Sequence, residues 1–415
     1  VTGRILHLLS QRPSRTGSGV TLDSLVRQAA RAGWEQQAIV GVPATETRPV
    51  VGNLDAPAIH PVFFASAAGQ PPGAPPEPLL DFPVPGMSDV MPYASSVWSA
   101  LNPRQLTDYR RVWRDHLRRV VTEFQPDLIH ANHVWLLSSL VKDVAADRPA
   151  VVTCHATGLR QMELCSGLRN EVVTGCRRLD RFFVLRRDHQ DQLADALGIA
   201  PDRITVTGVG YRDDLFFPGK GPAAPGGHLL YIGKYSEAKG LPWLLNAVEA
   251  LGVSRPDLRL HVAGSGAGPE ADRLRARMQD MAPLVVLHGQ IDQPALADLM
   301  RRCAVCVLPS FYEGVPLVLV EAAACGCRIV STALPGVIEQ IAPRLGATME
   351  LVPLPRLAGI DTPIAADLPR FTRDLTAALD RALAWKGKAA PPDLEPFTWS
   401  AVFGRVEKIW RELIA

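Results

Sequence analysis

Short apolar runs alternate with amphipathic stretches along the chain. Residues 5–9 (ILHLL) lead into a turn at 14–19 and then an amphipathic run over 21–32. Further apolar runs fall at 38–42, 128–130, 150–155 and 182–185, and 204–206 closes the series. Strand-length runs separated by helical patterns predict parallel β-α-β units. The pattern then restarts. Residues 219–227 (GKGPAAPGG) form a Gly/Pro-rich linker, followed by new runs at 229–232, 261–263, 285–288, 305–308 and 328–331. Two α/β domains are therefore predicted, 1–218 and 228–398, with a ligand cleft expected between them. The last segment, 399–415, has helical spacing through Val402, Val406, Ile409, Trp410 and Leu413. Residues 65–100 break the pattern, because their prolines suit neither a helix nor a central strand. A loop of that length inside a compact domain is expected to serve a ligand.

Composition narrows the class. The chain has 415 residues, 47% hydrophobic and 21% charged, enough for two cores. Its 44 basic and 42 acidic residues leave a net charge of +2 and no electrostatic footprint for nucleic acid. No apolar stretch is long enough to cross a membrane. No signal-like segment precedes residue 5, and seven cysteines are too few and odd in number for a disulfide framework, so a cytoplasmic protein is expected. Cys303 and Cys306 read as core residues rather than metal ligands, since no second pair stands at zinc spacing. Residues 104–124 place Leu106, Tyr109, Trp113, Leu117, Val120 and Phe124 on one helical stripe flanked by Arg110, Arg111, Arg114, Arg118 and Arg119. Such a helix can lie on an anionic membrane. Asp108 and Asp115 interrupt the charge, which favours a solvated face on a core-packed helix.

Candidate chemistry concentrates at 310–326 (SFYEGVPLVLVEAAACG). A strand ends, a turn with Gly314 and Pro316 follows, and a helix carries Glu321. A helix N-terminus attracts anions. A carboxylate accepts two hydroxyl protons at once, so Glu313 and Glu321 together suit a sugar or a ribose diol.

This segment resembles the donor-site motif of retaining glycosyltransferases of family four, which have the GT-B fold. Other segments match in order. Residues 232–240 (IGKYSEAKG) are similar to the family's "GR…EKG", 262–266 (VAGSG) to its "GxG" turn, and 334–339 (LPGVIE) to its "GGxxE" turn. The resemblance implies two Rossmann-like domains facing across a cleft, with the C-terminal helix crossing back to the first. It implies a nucleotide diphosphate sugar bound mainly by the second domain, with no cofactor and no metal. Glu321 then holds the ribose, Glu313 contacts the donor sugar, and Lys234 and Lys239 hold the diphosphate. Lys234 departs from the family's arginine and replaces a forked donor with a point charge. No two aspartates are separated by one residue, the pattern of metal-dependent glycosyltransferases. Gly233, Gly264, Gly314, Val315, Pro316 and Leu317 complete the expected donor site, with Gln290 and Ile291 at the base. From the first domain, Gly17 and Gly19 match the family's glycine loop and His155 its histidine near the reacting carbon. Asn132 and His133 (HANH, against the family's "HxH") and Arg160 are expected on the acceptor side. Asp89 and Tyr93 are expected to orient the acceptor by hydrogen bonds, with Met87 and Met91 adapting to its shape. The expected activity is transfer to a small soluble polar acceptor. A lipid-linked or polysaccharide acceptor at the membrane surface, or a non-catalytic nucleotide-sugar-binding protein, are the alternatives.

Overall fold

A computed structural model of the chain describes residues 2–13, 16–66, 75–87, 91, 93–155, 157–219, 227–385 and 392–415. It divides into two compact units, Val1–Gly208 with Trp399–Ala415, and Val209–Thr398.

The first unit is built on an eight-stranded parallel sheet. Its strands are β1 (Arg4–Leu9), β2 (Glu35–Pro43), β3 (Ile59–Phe64), β4 (Leu79–Leu80), β5 (Leu128–Asn132), β6 (Ala150–Cys154), β7 (Arg181–Val184) and β8 (Ile204–Val206), in the order β4-β3-β2-β1-β5-β6-β7-β8. β1, β5 and β6 are buried along almost their whole length, as strands covered by helices on both faces must be. The strand order reverses between β1 and β5, and ligands bind parallel sheets outside the carboxyl ends at such a point. The first helix starts at Gly17, four residues before the amphipathic run, because the Thr16 hydroxyl accepts the Gly19 N–H and caps it.

The helix Pro103–Phe124 carries a capping box between Asn102 and Gln105, with proline at its first position. Its apolar stripe is buried from Tyr109 to Phe124, with Leu106 half-buried. Every flanking arginine is ion-paired: Arg110 with Glu171, Arg111 with Asp108, Arg114 with Asp143, Arg118 with Asp115 and Arg119 with Glu123. The helix Trp399–Ile414 closes the unit. Its Trp410 is fully buried against His7, His130 and Trp34, and Glu407 accepts the Trp34 indole N–H at 2.9 Å.

The second unit has a six-stranded parallel sheet of β9 (His228–Ile232), β10 (Arg259–Ala263), β11 (Val285–Gly289), β12 (Val305–Leu308), β13 (Arg328–Thr332) and β14 (Met349–Val352). The order is β11-β10-β9-β12-β13-β14, so the reversal falls between β9 and β12.

Three expectations need correction. Residues 209–218, assigned from sequence to the first domain, pack with the second: Tyr211 donates its N–H to the Phe397 carbonyl, and Phe216 is 1% exposed in that core. The loop over 65–100 is partly core, because Leu80, Phe82, Val84 and Trp98 are buried under the first sheet. Met87 shares that core at 2% exposure, so its thioether faces protein and not a ligand. Of the expected linker, 220–226 lies outside the described residues, as does Asp89.

Candidate functional site

In the second unit the site is built at the β9/β12 reversal. The loop after β9 ends in a short turn, Glu237–Lys239, and then Gly240 at φ 70°. A Cβ on Gly240 would lie 2.0 Å from the Pro309 carbonyl oxygen. Only glycine supplies both the left-handed backbone and that approach, which brings the loop against the residues following β12. Phe311 then donates its N–H to the Ala238 carbonyl at 3.0 Å.

This seam sets Lys239 Nζ 2.7 Å from Glu313 Oε1, and 3.4 Å from the Tyr312 carbonyl oxygen. Ser310, fully buried, donates its hydroxyl to the same Glu313 oxygen at 3.0 Å. One carboxylate oxygen therefore receives two donors, and both ion-pair partners keep about a quarter of their side chains exposed (26% and 22%). Charge-assisted bonds of this kind are short and orienting.

The helix Leu317–Ala324 follows, with Pro316 as its N-cap and no side chain capping it. Glu321 lies within this helix, and burial pushes its carboxyl up to about 7. The Gly233 and Gly264 backbones meet closely: a Cβ on Gly264, at φ 140°, would sit 2.0 Å from the Gly233 carbonyl oxygen. Lys234 is exposed beside them, with no ion pair among the described residues. Its carbonyl accepts the buried Tyr231 hydroxyl at 2.7 Å, which pins the turn from below. Gln290 is exposed and Ile291 half-buried just beyond β11.

In the first unit three expected residues converge at the carboxyl ends of β5 and β6. Asn132 Nδ2 donates to the Leu8 carbonyl on β1 at 3.2 Å, and Asn132 Oδ1 lies 3.0 Å from His155 Nε2. The His133 and His155 rings are 4.8 Å apart, and His133 Nδ1 is 3.1 Å from the Thr157 hydroxyl. His133 takes a left-handed backbone, φ 66°, uncommon for a side chain of its size. Burial holds His155 down to about 4 and His133 well below its ordinary range, so both rings are neutral at physiological pH.

The remaining candidates are separate side chains. Gly17 opens the first helix, and a Cβ there would meet nothing within 4 Å. Gly19 is buried in that helix's first turn. Arg160 is exposed on the helix Thr157–Leu164. Tyr93 packs under Arg12, whose guanidinium stands 5.2 Å from the ring centre, and burial pushes its phenol up to about 12. Sequence reasoning missed Ser310 and Thr16. The serine three residues before Glu313 was the available signal, and Thr16 has the residue type of a helix cap. All seven cysteines are buried, and none is in a disulfide. Among the described residues, no cluster of three or more His, Cys, Asp or Glu is arranged to hold a metal. Nor is any helix among them long and apolar enough to cross a membrane.

Comparison with known proteins places this architecture. The family described as Glycosyltransferase Family 4 matches residues 15–215, and that described as Glycosyl transferases group 1 matches residues 226–354. Together they account for most of the chain, which belongs to these glycosyltransferases and has the GT-B fold class.

Among its relatives, D-inositol 3-phosphate glycosyltransferase 1 of Catenulispora acidiphila is 28% identical over 74% of this chain and 79% of that protein. Glycogen synthase of Mycobacterium tuberculosis is 29% identical over 52% of this chain and 55% of that protein. The chain thus spans little more than half the length of that relative. Among solved structures, sucrose-phosphate synthase from Thermosynechococcus elongatus superposes with a TM-score of 0.58 at 19% identity, covering 99% of both chains.

Proposed function

We propose that the chain transfers a sugar from a nucleotide diphosphate sugar to a small polar acceptor, with retention at the anomeric carbon. The observation that carries this reading is the Lys239–Glu313–Ser310 arrangement at the second sheet's reversal point. It sets a fixed cation and an oriented carboxylate side by side at the carboxyl ends of β9 and β12. A departing diphosphate needs its charge stabilised by groups already in place. Lys239, Lys234 and the N-terminus of Leu317–Ala324 supply positive charge and dipole for it. Glu321, as a carboxylate, accepts the ribose hydroxyls, while Glu313 accepts from the donor sugar.

In this reading the leaving phosphate assists deprotonation of the acceptor on the same face, and the protein contributes position and electrostatics. No metal is required. A small phosphorylated cyclitol fits the name of the Catenulispora relative, and a polysaccharide acceptor fits the glycogen synthase. The membrane-surface alternative has less support, because the arginines of Pro103–Phe124 are already paired with carboxylates.

The test is calorimetric titration with UDP-, GDP- and ADP-sugars, followed by turnover with D-inositol 3-phosphate with and without EDTA. Binding of one donor, lost at least about tenfold in Glu321→Ala through its charge-assisted hydrogen bonds, and EDTA-insensitive turnover are expected. Donor affinity unchanged in Glu321→Ala removes that residue from the site, and magnesium-dependent turnover overturns the metal-free mechanism. Binding with neither transfer nor donor hydrolysis favours a non-catalytic binding protein.

A further inference from the structure

Asn132 is the last residue of β5 and bridges the two strands at which the first sheet reverses. Its side chain is 2% exposed, and both of its polar atoms have protein partners. Side-chain amides have two possible orientations, chosen by their hydrogen bonds. Here the choice is forced. The Leu8 carbonyl oxygen can only accept, so the atom 3.2 Å from it must be the amide nitrogen. The amide oxygen is then the atom facing His155 Nε2 at 3.0 Å, and an oxygen there can only accept. A neutral imidazole carries one proton, and this contact requires it on Nε2. The lone pair is left on Nδ1.

The other histidines near this end of the sheet are closed off. His7, His130 and His133 are at most 3% exposed, and each has one ring nitrogen buried without a partner. His155 is only partly buried, at the carboxyl end of β6 where a parallel sheet receives ligands. We propose that Asn132 is a positioning residue that locks His155 as the Nε2–H tautomer, so that Nδ1 meets a ligand as a hydrogen-bond acceptor. The group that satisfies it is one with a proton to donate, such as a sugar hydroxyl; an ionised phosphate oxygen only accepts and would call instead for the doubly protonated ring. Naming a sugar hydroxyl rests on the glycosyl-transfer reading; the tautomer does not.

The experiment is a long-range proton–nitrogen correlation spectrum of the 15N-labelled full chain at neutral pH, with His155→Gln to assign the signal. The wild type is expected to show the Nε2–H pattern for His155, with and without millimolar inorganic phosphate. Asn132→Leu, which removes both hydrogen bonds at similar volume, is expected to give a mixture of tautomers. It should also lower kcat/KM for transfer about tenfold, the worth of one oriented hydrogen bond.

An Nδ1–H pattern in the wild type overturns the proposal whether or not any variant folds. So does a phosphate-induced shift to the doubly protonated ring, or an unchanged Nε2–H pattern in Asn132→Leu. If the tautomer behaves as expected and no nucleotide sugar is turned over, the lock stands and the glycosyl-transfer reading fails.

Discussion

The two sheets reverse their strand order in the same way and finish the carboxyl ends differently. At the β9/β12 reversal, the loops are joined by an ion pair, Lys239 with Glu313, braced by a buried serine. At the β1/β5 reversal, the join is a neutral amide, Asn132, holding one backbone carbonyl and one imidazole. Fixed charge in the second unit suits a ligand whose own charge changes during reaction. Neutral, directional groups in the first suit one that must be oriented without being attracted by charge. One topology thus carries two kinds of chemistry, chosen by the residues that end its strands.

The sharpest way to break this contrast is to remove the charge. Lys239→Ala leaves Glu313 with Ser310 alone and takes away the cation next to the proposed diphosphate. Loss of one preorganised electrostatic group lowers turnover by about 10²–10³-fold, measured as initial rates of transfer at saturating donor. Equal loss in Asn132→Leu would dissolve the distinction between a charged and a neutral site, whereas the expected ratio favours Lys239 by at least an order of magnitude.

The glycines of the two units separate next. Gly240→Ala combines a left-handed backbone with a Cβ 2.0 Å from the Pro309 oxygen. A strained position of that kind costs about 2 kcal/mol or more, visible as a lowered denaturation midpoint for the second unit. Gly17→Ala meets open space at ordinary φ and is expected to change stability by less than about 1 kcal/mol, if anything upward. If Gly17→Ala also leaves donor and acceptor kinetics untouched, the first unit's glycine loop is a plain turn and not a ligand cradle.

These differences explain what sequence alone could reach. β6, β9 and β12 are apolar at nearly every position, and β1 and β5 keep short apolar runs around His7 and His130, so these strands were legible. β3 (IHPVFF) carries His60 and Pro61, and β14 (MELV) an internal Glu350, which hide the same structure near or at a sheet edge. The 65–100 loop was misjudged in part because prolines speak about backbone and say nothing about burial; Phe82, Val84 and Met87 are core.

Lys239 and Glu313 became candidates through the resemblance of 232–240 and 310–326 to the family's donor-site motifs, and their contact spans 74 positions of sequence. Asn132's role needed the strand order, because its partner is a main-chain carbonyl 124 residues away. The left-handed backbone at His133 had no signal, since neither glycine nor asparagine marks it.

The last comparison concerns Glu321, and it tests whether the second unit keeps a charge in place at a cost to its fold. A carboxyl in the unfolded chain titrates near 4.5, and burial raises that of Glu321 to about 7. Between those values the folded chain keeps a proton that the unfolded chain has lost. Stability therefore falls as pH rises from 4.5 through about 7 and levels off above it. Glu321→Gln keeps the volume and never ionises, so it escapes that loss. Its Tm should match the wild type near pH 4.5 and exceed it by several degrees at about pH 8. The rise to about 7 is worth up to about 3 kcal/mol, and about 1 kcal/mol moves Tm by about 2–4 °C in a unit of this size. Donor affinity should move the opposite way, weakening most at high pH, where the wild type presents a full carboxylate to the ribose. A Tm difference that does not grow with pH means the carboxyl is not held in the surroundings described. A growing Tm difference with unchanged donor affinity means its burial serves packing alone.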